Sequence, residues 1–159
     1  MSIERVRAFM RERNMEEKIL EFEVSSATVE LAAQAVGVEP ARIAKTLSFM
    51  VDGSPILIVA AGDAKVDNAR FKALFHTKAK MLTPDEAVTL IGHAVGGVCP
   101  FALNENVTVY LDESLRRFTT VFPAAGSSNS AIELTMHELE VLSGGTWIDA
   151  CKGWREEEA

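Results

Sequence analysis

Scarcity narrows the possibilities for this 159-residue chain before any motif does. It has two cysteines, Cys99 and Cys151, too few for a disulfide scaffold. Basic residues are in deficit, 16 lysines and arginines against 23 aspartates and glutamates, for a net charge of −7. A general nucleic-acid coat protein is normally basic, so that class is disfavoured. Apolar runs such as Pro55 to Ala61 fall far below the ~20 residues that span a bilayer, and no membrane partner is expected. The first fourteen residues carry Glu4, Arg5, Arg7, Arg11, Glu12 and Arg13 with no apolar stretch; no secretory signal is read there, and cytoplasm is the expected compartment. G-x-S-x-G, P-loop and C-x-x-C signatures are missing. The three histidines, His76, His93 and His137, lack zinc-site spacing, so neither a metal nor a cofactor is expected. Cys99 reads as a small buried residue rather than a nucleophile, since no histidine is locally tied to it.

What is present describes a folded domain. Hydrophobic residues make up 48% and charged residues 25%, ordinary for a globular protein, and the length suits one domain spanning 1–159. Glu156, Glu157 and Glu158 read as a frayed acidic tail. Helices are expected over 2–14, with Ser2 as N-cap; after Ser26, ending at Gly37; from Asp67 to Phe75; from Thr83 to Ile91 through a Thr-Pro-Asp-Glu capping box; and after Thr135, paired with Glu138 in a second box. Strands are expected near 19–24, 43–51, 56–61, 78–82, 107–111, 117–122 and 131–134, with Asp52-Gly53 as a hairpin turn. The fold class is α/β of the α+β type: a mixed, mainly antiparallel sheet of about seven strands surrounded by helices.

Three segments suggest chemistry. In a strand over 43–49, alternation puts Lys45 on the face of Ile43, Leu47 and Phe49. A lysine there lines a cavity, snorkels to the sheet edge, or is exposed by a slip of register. The run Val95-Gly96-Gly97-Val98-Cys99-Pro100-Phe101 is either a tight structural turn or a loop whose backbone approaches a ligand. Lys65, Arg70, Lys72, Lys78 and Lys80 face only Asp67 within their span: a solvated helix face, or a landing strip for phosphates.

Together, Ile43-Ala44-Lys45-Thr46-Leu47, Gly62-Asp63 with Val66-Asp67, Val95 to Phe101, Leu111-Asp112 and Ala125-Gly126 resemble, in this order and spacing, the YbaK-like family of aminoacyl-tRNA deacylases. That family is related to the editing domain inserted in bacterial prolyl-tRNA synthetases, and the likeness runs from about Ser25 to Ala150. It implies a freestanding trans-editing enzyme that hydrolyses the ester of a mischarged aminoacyl-tRNA. The essential lysine would be Lys45, and the substrate would meet Gly96, Gly97, Val98, Cys99, Pro100 and Gly126. The partners implied are the tRNA acceptor end, along Lys65, Arg70, Lys72, Lys78 and Lys80, and prolyl-tRNA synthetase. Alternation directs Thr46 and Ser48 away from the Lys45 side. The sequence departs from the family pattern at Ala102, and Ala124 and Ala131 stand where cysteine-removing members carry serine and aspartate. The resemblance therefore favours a small residue such as alanine, on tRNA for proline, over cysteine. A binding module without turnover, a cysteinyl-tRNA deacylase and a small-molecule binder are the alternatives.

Overall fold

The computed structural model describes residues 2–155. The acidic run at Glu156–Glu158 lies outside the described residues. Five α-helices are α1 (Ser2–Arg11), α2 (Val29–Val36), α3 (Asn68–Phe75), α4 (Pro84–Glu86, continued by a π-helical turn at Ala87–Ile91) and α5 (Met136–Ser143). The strands are β1 (Ile19–Glu21), β2 (Ile43–Val51), β3 (Ser54–Ala61), β4 (Lys65–Val66), β5 (Thr108–Asp112), β6 (Thr120–Pro123), β7 (Ser130–Ile132), β8 (Leu134–Thr135), β9 (Thr146–Ile148) and β10 (Cys151–Lys152).

The centre is the β2–β3 hairpin. Asp52 and Gly53 both take positive φ, 50° and 78°, the geometry of a two-residue turn matched to strand twist. The hairpin nucleates a six-stranded sheet of order β8-β6-β2-β3-β5-β9. Pairs β2/β3 and β6/β8 are antiparallel, whereas β2/β6, β3/β5 and β5/β9 are parallel. Two small antiparallel ribbons, β1/β7 and β4/β10, complete the fold. The mixed architecture agrees with the expectation, and antiparallel register predominates. Three strands were not foreseen: β4, β9 and β10 are two or three residues long, too short to show alternation. No strand forms over 78–82. Met81 alone bridges to Phe49 before Thr83 caps the next helix.

Strand β3 is buried on both faces from Pro55 to Ala61, which explains its unbroken apolar run. Leu57, Val59 and Ala61 join the larger core with Val6, Met10, Phe101, Leu111 and Leu139. On the opposite face Phe49, Ile56 and Ile58 meet Phe71 of α3. Phe49, Phe71, Phe75 and Tyr110 stack in sequence with centroids 5.0, 4.7 and 5.0 Å apart. Farther along this face α2 lays Ala32 and Ala33 against Ile43 and Phe122.

Capping follows the sequence closely. Asp67 accepts the Ala69 and Arg70 amides, and both Thr83 and Thr135 form complete capping boxes. Two expectations are corrected. Thr28, not Ser26, caps α2, accepting the Leu31 amide at 3.1 Å; Ser26 donates from both its amide and its hydroxyl to the Ser128 carbonyl. Ser2 is already helical, and its hydroxyl donates to the Gly126 carbonyl rather than capping α1.

Phe71→Ala is expected to lower stability by about 3–5 kcal/mol. The measurement is the urea unfolding midpoint, with an unchanged m-value.

Candidate functional site

The site is built on a gap in the sheet. β6 covers the edge of β2 only at Ile43 and Ala44, opposite Phe122 and Pro123. Farther along, the Met50 amide donates to the Lys80 carbonyl at 2.9 Å and the Leu82 amide to the Ser48 carbonyl at 3.1 Å. Between these closures neither segment covers Thr46. Ser48 and Met50 direct their backbone groups to this edge, so the two-residue period directs those of Thr46 there too. Burial gives the same picture: Lys45, Thr46 and Leu47 are half-buried, flanked by the buried pairs Ile43–Ala44 and Ser48–Phe49.

A cavity of about 350 Å³ opens on this gap. One wall is the start of α2, with Ala27, Thr28 and Val29; another is Met81, Leu82 and Ala87. Val95, Gly96 and Val98 form a third. Ala124 and Ala131, bridged to each other, form a fourth together with Ser130, whose hydroxyl donates to the Ser127 carbonyl.

Lys45 lines this cavity from the face it shares with Ile43, Leu47 and Phe49, between the α2 cluster and the aromatic cluster of α3. Its ammonium donates to the Ala64 carbonyl in the turn between β3 and β4. Burial pushes its pKa below the ordinary lysine value; Cys151, Asp63 and Glu30 pull it up, and Lys65 pushes it further down. Asp63 itself is clasped by Arg117 at 2.5 and 2.9 Å.

Thr46 and Ser48 also line the cavity, contrary to expectation. The hollow wraps round the strand edge, so both faces of β2 contribute to it. Thr46 Oγ1 is buried and has no hydrogen-bond partner, and an orphaned buried hydroxyl marks a place where a ligand or water belongs. No sequence pattern announced it.

The loop residues separate. Gly96 and Val98 line the cavity; Gly97, Cys99, Pro100 and Gly126 do not. Gly96 takes φ +92°, and a Cβ on Gly97 would lie 2.8 Å from the Gly126–Ser127 backbone. Gly97 is therefore a backbone-to-backbone contact, and with Gly126 it borders a neighbouring hollow. Pro100 is buried, and Cys99 is fully so. A histidine is in fact tied to Cys99, because His93 Nε2 lies 3.6 Å from its sulfur. That nitrogen also lies 2.7 Å from the Phe101 carbonyl, which can only accept, so Nε2 carries a proton. Burial lowers the His93 pKa and pushes the Cys99 thiol up to about 12, so the pair is packing, not an activated nucleophile.

Of the basic segment, Lys65, Lys72, Lys78 and Lys80 are exposed. Arg70 is already engaged by Asp149 at 2.7 Å and Asp67 at 3.7 Å. Among the described residues no cluster of three or more His, Cys, Asp or Glu side chains could hold a metal ion, and no helix is long and apolar enough to cross a membrane.

Gly97→Ala is expected to destabilise the protein by about 1–3 kcal/mol, the cost of overpacking against a backbone that cannot swing aside. Urea denaturation checks it.

The chain is 55% identical over 156 residues to YwhH of Bacillus subtilis, described as uncharacterized, covering 97% of this chain and 99% of that one. It is 26% identical over 124 residues to EbsC of Enterococcus faecalis, named as a candidate Cys-tRNA(Pro)/Cys-tRNA(Cys) deacylase, covering 77% of this chain and 76% of that one. A solved structure of a proposed trans-editing enzyme for prolyl-tRNA synthetase superposes with a TM-score of 0.86 at 32% identity, covering 96% of this chain and 98% of the other. Residues 23–142 match the model of the aminoacyl-tRNA editing domain, and the chain belongs to that family.

Proposed function

We propose that this protein is a freestanding hydrolase that cleaves the ester of mischarged aminoacyl-tRNA, with a small amino acid such as alanine on tRNA for proline as substrate. The observation that carries the reading is Lys45, a half-buried ammonium held by a carbonyl at the border of a cavity of about 350 Å³. That volume falls within the range of small-molecule sites.

The chemistry needs no enzyme nucleophile. Water attacks the ester carbonyl, the carbon–oxygen bond to the ribose breaks, and the free amino acid and a ribose hydroxyl are released. Catalysis then rests on placing the ester and on stabilising the oxyanion that develops. In this reading the Lys45 charge and the Thr46 amide at the open edge face the reacting ester, and Thr46 Oγ1 supplies a further hydrogen bond. The Gly96–Val98 backbone borders the acyl group, and Ala124 and Ala131 form an apolar wall that suits a small side chain. Discrimination by such a wall is modest, ~1–3 kcal/mol per methylene. Lys65, Lys72, Lys78 and Lys80 would meet the acceptor phosphates, with prolyl-tRNA synthetase a candidate partner. In the cytoplasm, the expected compartment, this hydrolysis would follow mischarging.

Deacylation of a panel of mischarged tRNAs, including alanyl and cysteinyl esters, tests the assignment. Wild type is expected to hydrolyse the alanyl ester fastest, and Lys45→Ala to lose roughly 10²-fold or more in kcat. Equal activity in the variant removes Lys45 from the mechanism, and hydrolysis of no ester removes the enzyme reading.

The depressed lysine pKa sets a pH dependence. The ammonium is the charged form, so rising pH removes it. After subtraction of the uncatalysed rate, kcat should fall on the alkaline side, at a pH below the ordinary lysine value.

Lys72→Glu with Lys78→Glu should raise KM and flatten its salt dependence while leaving kcat unchanged. Steady-state kinetics at two salt concentrations reads this out.

A further inference from the structure

The carbonyl that holds the Lys45 ammonium belongs to Ala64, and what holds Ala64 begins at a distance, with Asp112. Asp112 ends β5 and is 0% exposed. Its Oδ2 accepts the Ser114 amide at 2.9 Å, the ordinary cap of the 3-10 turn Glu113–Arg117. The other contacts are not local. Oδ1 accepts the amide of Ala150, 38 positions away, at 2.8 Å. Burial, and then the nearby Asp112 carboxylate, push the Cys151 thiol up and keep it protonated.

From each side a run of hydrogen bonds leads to the turn that carries the lysine's partner. On one, Ser114 Oγ accepts the Ala61 amide at 3.1 Å, and the Ala64 amide donates to the Ala61 carbonyl at 2.9 Å. On the other, the Ala150 carbonyl accepts the Asp67 amide at 2.8 Å, and Cys151 pairs with Val66 in the β4/β10 ribbon. One buried carboxylate thus pins the turn at its entry, Ala61, and at its exit, Val66–Asp67. Half of the arrangement, Ala150 and Cys151, lies outside residues 23–142 matched to the family.

We propose that Asp112 is a positioning residue for Lys45: through Ser114 and the Ala150–Cys151 segment it fixes the Ala61–Val66 turn, and so sets where the Ala64 carbonyl holds the ammonium beside the cavity. The kinetic arm of this inference rests on the deacylase reading above; its spectroscopic arm does not.

Asp112→Asn keeps the shape but replaces one accepting oxygen with a group that only donates. Ser114→Ala removes the other link and spares Asp112, so one variant remains should the other fail to fold. Leu139→Ala, a core truncation in α5 outside this network, serves as the control for plain loss of stability, with thermal midpoints measured for all three. The two network variants are expected to lower kcat on the mischarged tRNA roughly tenfold to a hundredfold with KM unchanged, whereas Leu139→Ala loses stability and keeps kcat. In protein carrying 13C-labelled lysine, NMR titration should show Lys45 moving up toward the ordinary lysine value in the network variants, as the freed side chain regains water, with Lys72 and Lys78 unmoved. The proposal is overturned if folded Asp112→Asn and Ser114→Ala leave the Lys45 titration in place, or if Leu139→Ala costs as much kcat at an equal loss of stability. Should wild type hydrolyse no ester, the deacylase reading fails, and the NMR titration still decides the role of Asp112.

Discussion

An ammonium on the apolar face of a sheet is the constraint around which this molecule is arranged. Burial strips water from Lys45 and disfavours its charge. A carboxylate at contact would restore the charged form but also neutralise it. The structure instead supplies a backbone carbonyl, Ala64, which satisfies one donor and leaves the positive charge uncancelled. Asp63, close enough to raise the lysine pKa, is occupied by Arg117. An ammonium so placed can act on a substrate oxygen.

The space beside it exists because β2 is longer than either segment that covers its edge. β6 turns away after Ala44, and the 80–82 segment joins only from Ser48 onward. Thr46 lies between, with a backbone edge and a hydroxyl that the fold leaves unused. The far wall comes so near because Gly97 carries no side chain to hold it off from Gly126 and Ser127. The two cysteines contribute packing rather than nucleophilic chemistry: both are buried, and burial pushes both thiols up.

Much of this was legible in the residues. Asp67, Thr83 and Thr135 cap helices as their spacing announced, because a cap is a contact within one turn. Asp52-Gly53 made its hairpin for the same reason, and the face of Lys45 followed from strand alternation alone. Thr28 took the cap expected of Ser26 because the Ser128 carbonyl had claimed Ser26, a competition between loops a hundred residues apart. Thr46 stands on the face opposite Lys45, as alternation directs, and still reaches the cavity because the hollow wraps round the uncovered strand edge. Arg70 read as part of a phosphate strip, yet Asp149, from another part of the chain, engages it.

Local chemistry in the sequence settled the caps at Asp67, Thr83 and Thr135, the Asp52-Gly53 hairpin and the side of β2 on which Lys45 stands, since each depends on residues a few positions apart. Tertiary structure alone decided that the lysine meets a carbonyl rather than a carboxylate, that Val95, Gly96 and Val98 of the loop reach the cavity while Gly97, Cys99 and Pro100 do not, and that Asp112 ties β5 to the last ribbon. Those outcomes depend on which distant groups arrive within hydrogen-bonding distance of one another, and no spacing along one chain encodes that distance.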